Sequence, residues 1–354
     1  MQDINIGLIG AGYMGKAHTI AYKTVRSIFH TALNPVCECI GTSSAEGAAR
    51  SAQELGWNRS TGDWRALVGD PAIDAVIVAT PPATHKDIVL AALALSKPVF
   101  CEKPLGMTAT ESLQLAQAAE SAGVANMVGY NYIRTPASQL ARQIIESGEI
   151  GEIIHVAAEH VEDYLHDPRA PASWRTREAT ATRAGALADV GSHLLNLALR
   201  LGGPVDALVA DMNTVHAQRQ GRHGMEAVEN DDQGNVMLRF ASGALGALTF
   251  SRVAAGRKMG YTYRITGTKG AIAFDQEDQN ALWLYDAGRP AQRQGFQRLL
   301  MGPATPTTWR SARARGTAPG TTSRSSSKRA IFCRPSPAAR PSGPPSATAT
   351  RWTG

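Results

Sequence analysis

Through the first 130 positions, short apolar runs rich in β-branched residues alternate with longer stretches of helical period. Residues 4–9 read as a buried strand, 14–25 as a helix, 36–41 as a second strand and 45–55 as a second helix. The run DAVIVA at 74–79 is a further strand, followed by helix 85–95, strand 98–101, helix 110–122 and a last short strand at 126–130. Such a βαβα alternation predicts an α/β Rossmann domain, a doubly wound parallel sheet with helices on both faces.

Beyond residue 130 the pattern changes. Residues 138–147 have helical period and stop at Gly148, 153–162 alternate as a half-exposed strand, and 189–201 form a helix closed by Gly202-Gly203-Pro204. Strand-like segments then follow in succession at 207–212, 233–240, 244–252, 261–266, 271–275 and 281–285. Strands grouped after a few helices predict an α+β C-terminal domain with one large open, mostly antiparallel sheet. The chain thus divides into a dinucleotide-type domain at 1–128, a substrate-binding and oligomerisation domain at 129–303, and a remainder at 304–354 with neither period.

Composition sharpens this division. With 354 residues, 43% apolar and 19% charged, the chain is long enough for about two globular domains. Its formal charge is +6, but nine of its 36 basic residues and none of its 30 acidic ones follow Pro303. Residues 1–303 therefore carry 27 basic against 30 acidic groups. The basic excess belongs to the tail, which removes the argument for a nucleic-acid or membrane partner. Seven of the 19 prolines also lie there, among Ser, Thr, Ala and Arg, the composition of a disordered segment. No apolar run approaches the ~18 residues of a membrane span. Cys37, Cys39, Cys101 and Cys333 match neither a zinc nor a disulfide spacing, so a cytoplasmic setting is expected.

Chemistry enters with Gly10-Ala11-Gly12-Tyr13-Met14-Gly15, a GxGxxG directly between a strand and a helix. Gly10 permits the tight turn, Gly12 lets the backbone of Tyr13 and Met14 approach a pyrophosphate, and Gly15 allows close packing of helix on strand. An NAD site commonly places a carboxylate at the end of the second strand. Here that strand runs into Gly41, Thr42, Ser43 and Ser44, with Arg50 beyond; the hydroxyls of Thr42 and Ser43 suit NAD or NADP, and the choice stays open. Two further segments, Thr80-Pro81-Pro82-Ala83-Thr84-His85 and Glu102-Lys103-Pro104, each follow a parallel strand and so lie on the carboxyl edge where such folds bind ligands. Asp189 and His193 stand four apart at the start of a helix and share one face, an arrangement that on its own also fits a helix cap with a satisfied histidine. The acidic run Glu229-Asn230-Asp231-Asp232 reads as a turn before the strand at Gln233, with no histidine placed to make it a metal site.

In this order and spacing GxGxxG, TPxxxH and EKP resemble the Gfo/Idh/MocA family of nicotinamide-dependent sugar and polyol oxidoreductases. The resemblance runs from residue 4 to about 303 and extends to Gly185-Ala186-Leu187-Ala188-Asp189-Val190-Gly191-Ser192-His193. Its wording at Asp167-Pro168, Ser173-Trp174-Arg175, Ser251-Arg252, 267–270 and 295–296 is similar to the branch containing inositol and levoglucosan dehydrogenases. It implies Lys103, Asp189 and His193 as catalytic residues, with His193 as base, Lys103 on the reacting oxygen and Asp189 orienting both substrate and histidine. Cofactor contacts are implied for Gly10, Gly12, Tyr13, Met14, Gly15, Thr42, Ser43, Thr80, Pro81, His85, Glu102, Lys103, Trp174 and Arg175. Substrate contacts are implied for Tyr132, Arg134, Asp189 and His193, with no metal. The activity implied is NAD(P)-dependent hydride transfer at a secondary hydroxyl of a sugar, anhydrosugar or cyclic polyol, by a homodimer or homotetramer joined through the C-terminal sheet. A dinucleotide-binding regulator without turnover and a redox-assisted glycoside-cleaving enzyme share the fold and remain alternatives.

The resemblance breaks after Met301-Gly302-Pro303, where relatives continue into a final helix. Reading the following codons one base out of phase makes several stretches, including 321–337, compatible with helix-periodic text of the family's kind. A frameshift near residue 304 is therefore the expected origin of the tail.

Overall fold

In the computed structural model, residues 2–29, 31–302 and 305 are described; the expected disordered, out-of-frame tail at 304–354 otherwise lies outside them. Strand β1 (Gln2–Ile9) buries Ile6, Leu8 and Ile9 and becomes the middle of a sheet because both its faces are apolar there. Around it run α1 (Tyr13–Ile28), β2 (Leu33–Gly41), α2 (Ala45–Leu55), β3 (Arg59–Thr61), α3 (Trp64–Gly69), β4 (Ala75–Val78), α4 (His85–Ala94), β5 (Val99–Cys101), α5 (Ala109–Ala122) and β6 (Asn126–Val128). Among the described residues the strand order is β3-β2-β1-β4-β5-β6, with every pair parallel. Direction along the sheet reverses between β1 and β4, and that switch point opens a crevice at the carboxyl ends. Side-chain caps start the helices: Ser44, Asp63 and Thr108 each accept a backbone N–H of the first turn. Strand β3 and helix α3 have three and six residues, too few to show a period in sequence.

Helix α6 (Pro136–Glu146) and strand β7 (Ile153–Val161) open the second half. An irregular arm follows, containing the short helix α7 (Glu178–Ala181), and leads to a helical run in which α8 (Ser192–Leu197) is flanked by the wider turns Leu187–Gly191 and Ala198–Gly202. The remaining strands are β8 (Val205–Asn213), β9 (Gln218–Gly221), β10 (Gly224–Ala227), β11 (Gln233–Phe240), β12 (Leu245–Ser251), β13 (Gly260–Gly267), β14 (Gly270–Asp275), β15 (Ala281–Asp286) and β16 (Gln297–Leu300). Among the described residues eight of them form a sheet in the order β16-β15-β14-β13-β7-β12-β11-β8. All its pairings are antiparallel except β7 with β12. One face packs Val156, Val236, Leu238, Leu248 and Phe250 against Leu194 and Leu197 of α8. The opposite face leaves Val209, Met237 and Leu245 exposed. The polar hairpin β9–β10 and the edge strand β16 carry no apolar alternation and are not foreseen by pattern.

Candidate active site

The glycine turn between β1 and α1 forms one wall of a cleft of about 840 Å³. Gly10 sits at φ +101°, a conformation other residues rarely adopt, directly against the carbonyl of Ala79 at the end of β4. A Cβ on Gly15 would collide with the carbonyl of Gly10, so its absence lets α1 close on the turn. Gly12 differs: a Cβ there would meet nothing within 4 Å and would stand in the cleft. Gly12 is also the N-cap of the 16-residue α1 and offers no capping side chain, so the first amide groups of the helix are left for an anion. An open cradle before an uncapped helix N-terminus fits the pyrophosphate of a dinucleotide.

Of the residues expected at the cofactor, Gly10, Gly12, Tyr13, Met14, Thr42, Ser43, Thr80, Pro81, Glu102 and Lys103 line this cleft from the first half. Trp174, Arg175 and Asp189 close it from the second half. Gly15 and His85 lie behind the wall. The ring nitrogens of His85 stand 2.9 Å from the carbonyls of Pro104 and Thr80, so the imidazole ties the two carboxyl-edge loops together. It is wholly buried, and burial pushes its pKa down despite those carbonyls. Glu102 is anchored from beneath by His18 of α1, whose Nε2 lies 2.6 Å from Oε1 in a buried pair. This pair sets the peptide from which the side chain of Lys103 projects.

Lys103 reaches across to the second half. Its Nζ donates to Oδ1 of Asp189 at 2.7 Å and also to the Asp189 carbonyl. Oδ2 of Asp189 accepts the Tyr164 hydroxyl at 2.8 Å and Arg175 Nε at 3.3 Å. Burial by itself would raise the Asp189 pKa, but the charges of Lys103 and Arg175 outweigh it and hold the carboxyl well below the usual range. Asp189 is therefore a carboxylate at any working pH. Three donors sit on an ammonium group, and two of those on Lys103 go to Asp189, which leaves one directed elsewhere.

His193 follows Asp189 by one turn and is buried at 5% exposure. Its ring packs edge-on against Tyr132 and Tyr130, at centroid distances of 4.5 and 5.7 Å, and lies 5.5 Å from that of His160. Tyr132 stacks on Tyr261 and donates its hydroxyl to Met259 Sδ. The structure thus brings Tyr132 to His193, in a cluster beside the cleft. Arg134 is not among the residues that line the cleft; burial, with the charges of Arg200 and Arg142, lowers its pKa.

Several residues that line the cleft or touch its Asp189 have no signal in the sequence. Tyr164 comes from the irregular arm, where no spacing marks it. Asp63, Trp64 and Arg65 line the end near Thr42 and Ser43, with the Arg65 guanidinium 4.3 Å above the Trp64 ring; they follow the short β3 that pattern does not reveal. Among the described residues no three His, Cys, Asp or Glu side chains are grouped to hold a metal ion. No helix there is long and apolar enough to cross a membrane.

Comparison with known proteins bears on the same two halves. Residues 4–130 match the profile described as an oxidoreductase family with NAD-binding Rossmann fold, and residues 138–273 that of the GFO/IDH/MocA C-terminal domain. Levoglucosan dehydrogenase of Pseudarthrobacter phenanthrenivorans is 38% identical over 321 residues, covering 86% of this chain and 82% of that protein. Inositol 2-dehydrogenase of Acidothermus cellulolyticus is 30% identical, covering 78% and 74%. Among solved structures, levoglucosan dehydrogenase in complex with NADH and levoglucosan superposes with a TM-score of 0.91 at 36% identity, covering 94% of this chain and 89% of that one. An inositol dehydrogenase homologue complexed with NAD+ from Azotobacter vinelandii gives 0.79 at 25% identity, covering 94% and 85%.

Proposed function

The chain belongs to the GFO/IDH/MocA family of NAD-binding sugar and polyol oxidoreductases, and from that premise we propose that it oxidises a secondary hydroxyl of an anhydrosugar or cyclic polyol, with Lys103, Asp189 and His193 doing the chemistry. The observation that carries this reading is the meeting of Lys103 and Asp189 across the cleft at 2.7 Å. It puts a cation and a carboxylate from opposite halves beside the space that opens from the glycine turn.

When bound, the nicotinamide supplies the hydride acceptor. Lys103 directs its remaining N–H to the reacting oxygen and stabilises the negative charge that develops as the hydroxyl proton leaves. His193 takes that proton, and the surrounding Tyr130 and Tyr132 rings keep its imidazole in one orientation. Asp189, held ionised, fixes Lys103 and offers its carboxylate to a neighbouring substrate hydroxyl. Tyr164 and Arg175 hold the second carboxylate oxygen, and the Trp174–Arg175 segment excludes water from the cofactor side. Arg134 has no part in this proposal.

Incubation with NAD+ and a panel of levoglucosan, inositols and other cyclic polyols tests it, reading nicotinamide absorbance and the ketone formed. Stoichiometric NADH and ketone from at least one member is the expected result. Binding of NADH without turnover of any member would favour a regulator, and sugar cleavage without net NADH a redox-assisted lyase. The exposed Val209, Met237 and Leu245 on the open sheet support a second copy of the chain as its cover; sedimentation velocity of the full chain is expected to give a dimer or tetramer.

A further inference from the structure

The arm from residue 162 to 186 carries Trp174 and Arg175 into the cleft and Tyr164 onto Asp189, yet its regular structure amounts to the three-residue turn Trp174–Thr176 and the four-residue α7. Backbone bonds tie it to the sheet side at Leu165, Ala172, Thr176 and Ala186. Between those points three buried side chains from the sheet side collect its carbonyls. Arg219 donates from Nη2 to Leu165 at 2.6 Å and from Nη1 to Asp167 at 2.9 Å and Ala170 at 3.3 Å. Asn230 Nδ2 donates to Arg175 at 2.9 Å and Thr182 at 3.2 Å. Arg252 Nη1 donates to that same Arg175 carbonyl at 3.1 Å.

These donors are joined to one another and to the helix bearing Asp189. Arg252 Nη2 donates to Asn230 Oδ1 at 2.7 Å and its Nε to Asp232 Oδ1 at 2.9 Å. Asp232 Oδ2 also accepts the amides of Val215 and His216. Asp231 Oδ2 accepts the amide of Leu187 at 2.8 Å, two residues before Asp189. Arg219, Arg252 and Asp232 are 0% exposed and Asn230 3%. Thr182, whose carbonyl Asn230 holds, is at φ +140°, a strained conformation for a β-branched residue that persists only where its surroundings impose it. Asn230, Asp231 and Asp232 stay out of the main cleft; Arg175 lines it and meets Asp189 at 3.3 Å.

We infer that Asn230 and Arg252 are positioning residues for Arg175: the two donors on its carbonyl set where its guanidinium stands, and so how tightly the cofactor cleft closes over NADH. The run read from sequence as a turn before Gln233 is such a turn, and it is also the junction from which the arm is hung. Burying an ion pair with the surrounding amides satisfied is weak evidence of stability gained, and a role in placing Arg175 gives that arrangement a function. The inference rests on Arg175 being a wall of the cofactor site.

The test is NADH titration by fluorescence on the full chain, for wild type, Asn230→Ala, Arg175→Ala and the double variant. Losing the side-chain donor is expected to raise the NADH Kd about tenfold in the wild-type background and less than about twofold when Arg175 is already alanine. In steady state the KM for NAD+ should follow the same pattern with kcat changed less than about threefold, because Lys103 and Tyr164 still hold Asp189. Equal effects in both backgrounds, or an unchanged Kd in folded Asn230→Ala, would overturn the inference alone. A wild-type Kd that Arg175→Ala leaves unchanged would overturn the reading of Arg175 on which it rests. Should Asn230→Ala fail to fold, Asn230→Asp keeps the shape and the contact to Arg252 while removing the donor, and the same comparison applies.

Discussion

The glycine turn after β1 and the arm around Arg175 face the same cleft and are built by opposite means. At the turn the backbone itself is the site: Gly10 and Gly15 let strand, helix and neighbouring loop approach, and Gly12 leaves space and free amides. Six consecutive residues suffice, and their spacing is visible in one dimension. At the arm the backbone is irregular, and between a few backbone bonds to the sheet side it is held by Arg219, Asn230 and Arg252, which take hold of its carbonyls from 48 to 77 residues away. A backbone-built site tolerates change in surrounding side chains; a side-chain-built site fails when one buried donor is lost.

The largest effect should fall on the arm. Arg252→Met leaves Asp232 buried without its ion-pair partner and is expected to cost about 3–5 kcal/mol of stability, read by urea unfolding; a loss below about 1 kcal/mol would remove the arm's dependence on that pair. Lys103→Ala strikes where the two regions meet. It should lower kcat by about 10²–10³-fold while NADH affinity stays within about threefold, and wild-type turnover would end its assignment. Within the turn, Gly15→Ala should cost about 1–3 kcal/mol because Cβ meets backbone that cannot move aside. Gly12→Ala should change stability by less than about 0.5 kcal/mol yet weaken NADH binding, since its methyl enters the cleft. Finding the two alike would mean the cradle is not where the cofactor lies.

The smallest effect concerns His85, which ties the loops on the backbone-built side. Burial depresses its pKa, so the folded chain keeps it neutral while the unfolded chain gains a proton below about pH 6.5. Its contribution to stability is thus complete above that pH and is lost as pH falls toward the folded value. His85→Asn should flatten the decline in stability measured between about pH 7 and pH 5.

Legibility follows the same division. The strand, glycine turn and helix, the segments ending in Thr80 and Lys103, and the pair Asp189 and His193 stand out because local spacing maps onto a face or an edge. His85 carries the same kind of signal and still lies behind the wall, since a motif does not say which way a ring turns. Tyr164 carries no signal, as its partner Asp189 is 25 residues away, across an arm whose regular pieces are three and four residues long. Arg134, two residues after Tyr132, does not line the cleft. Asn230, Asp231 and Asp232 look like an acidic turn until their partners at Arg175, Leu187 and Arg252 are seen.

The sequence by itself determined the two-domain architecture, because hydrophobic period and glycine spacing act over a few residues and need no knowledge of the rest; the family was legible through the resemblance of its motifs. It placed an anion cradle, a lysine and a carboxylate on elements that can meet. Only the tertiary structure decided that Lys103 and Asp189 do meet, that His85 and Arg134 stay out of the cleft lining, and that buried donors from the second sheet help to hold the arm. Those are contacts between distant segments, fixed when both sheets bury their apolar faces and every polar group trapped between them must find a partner.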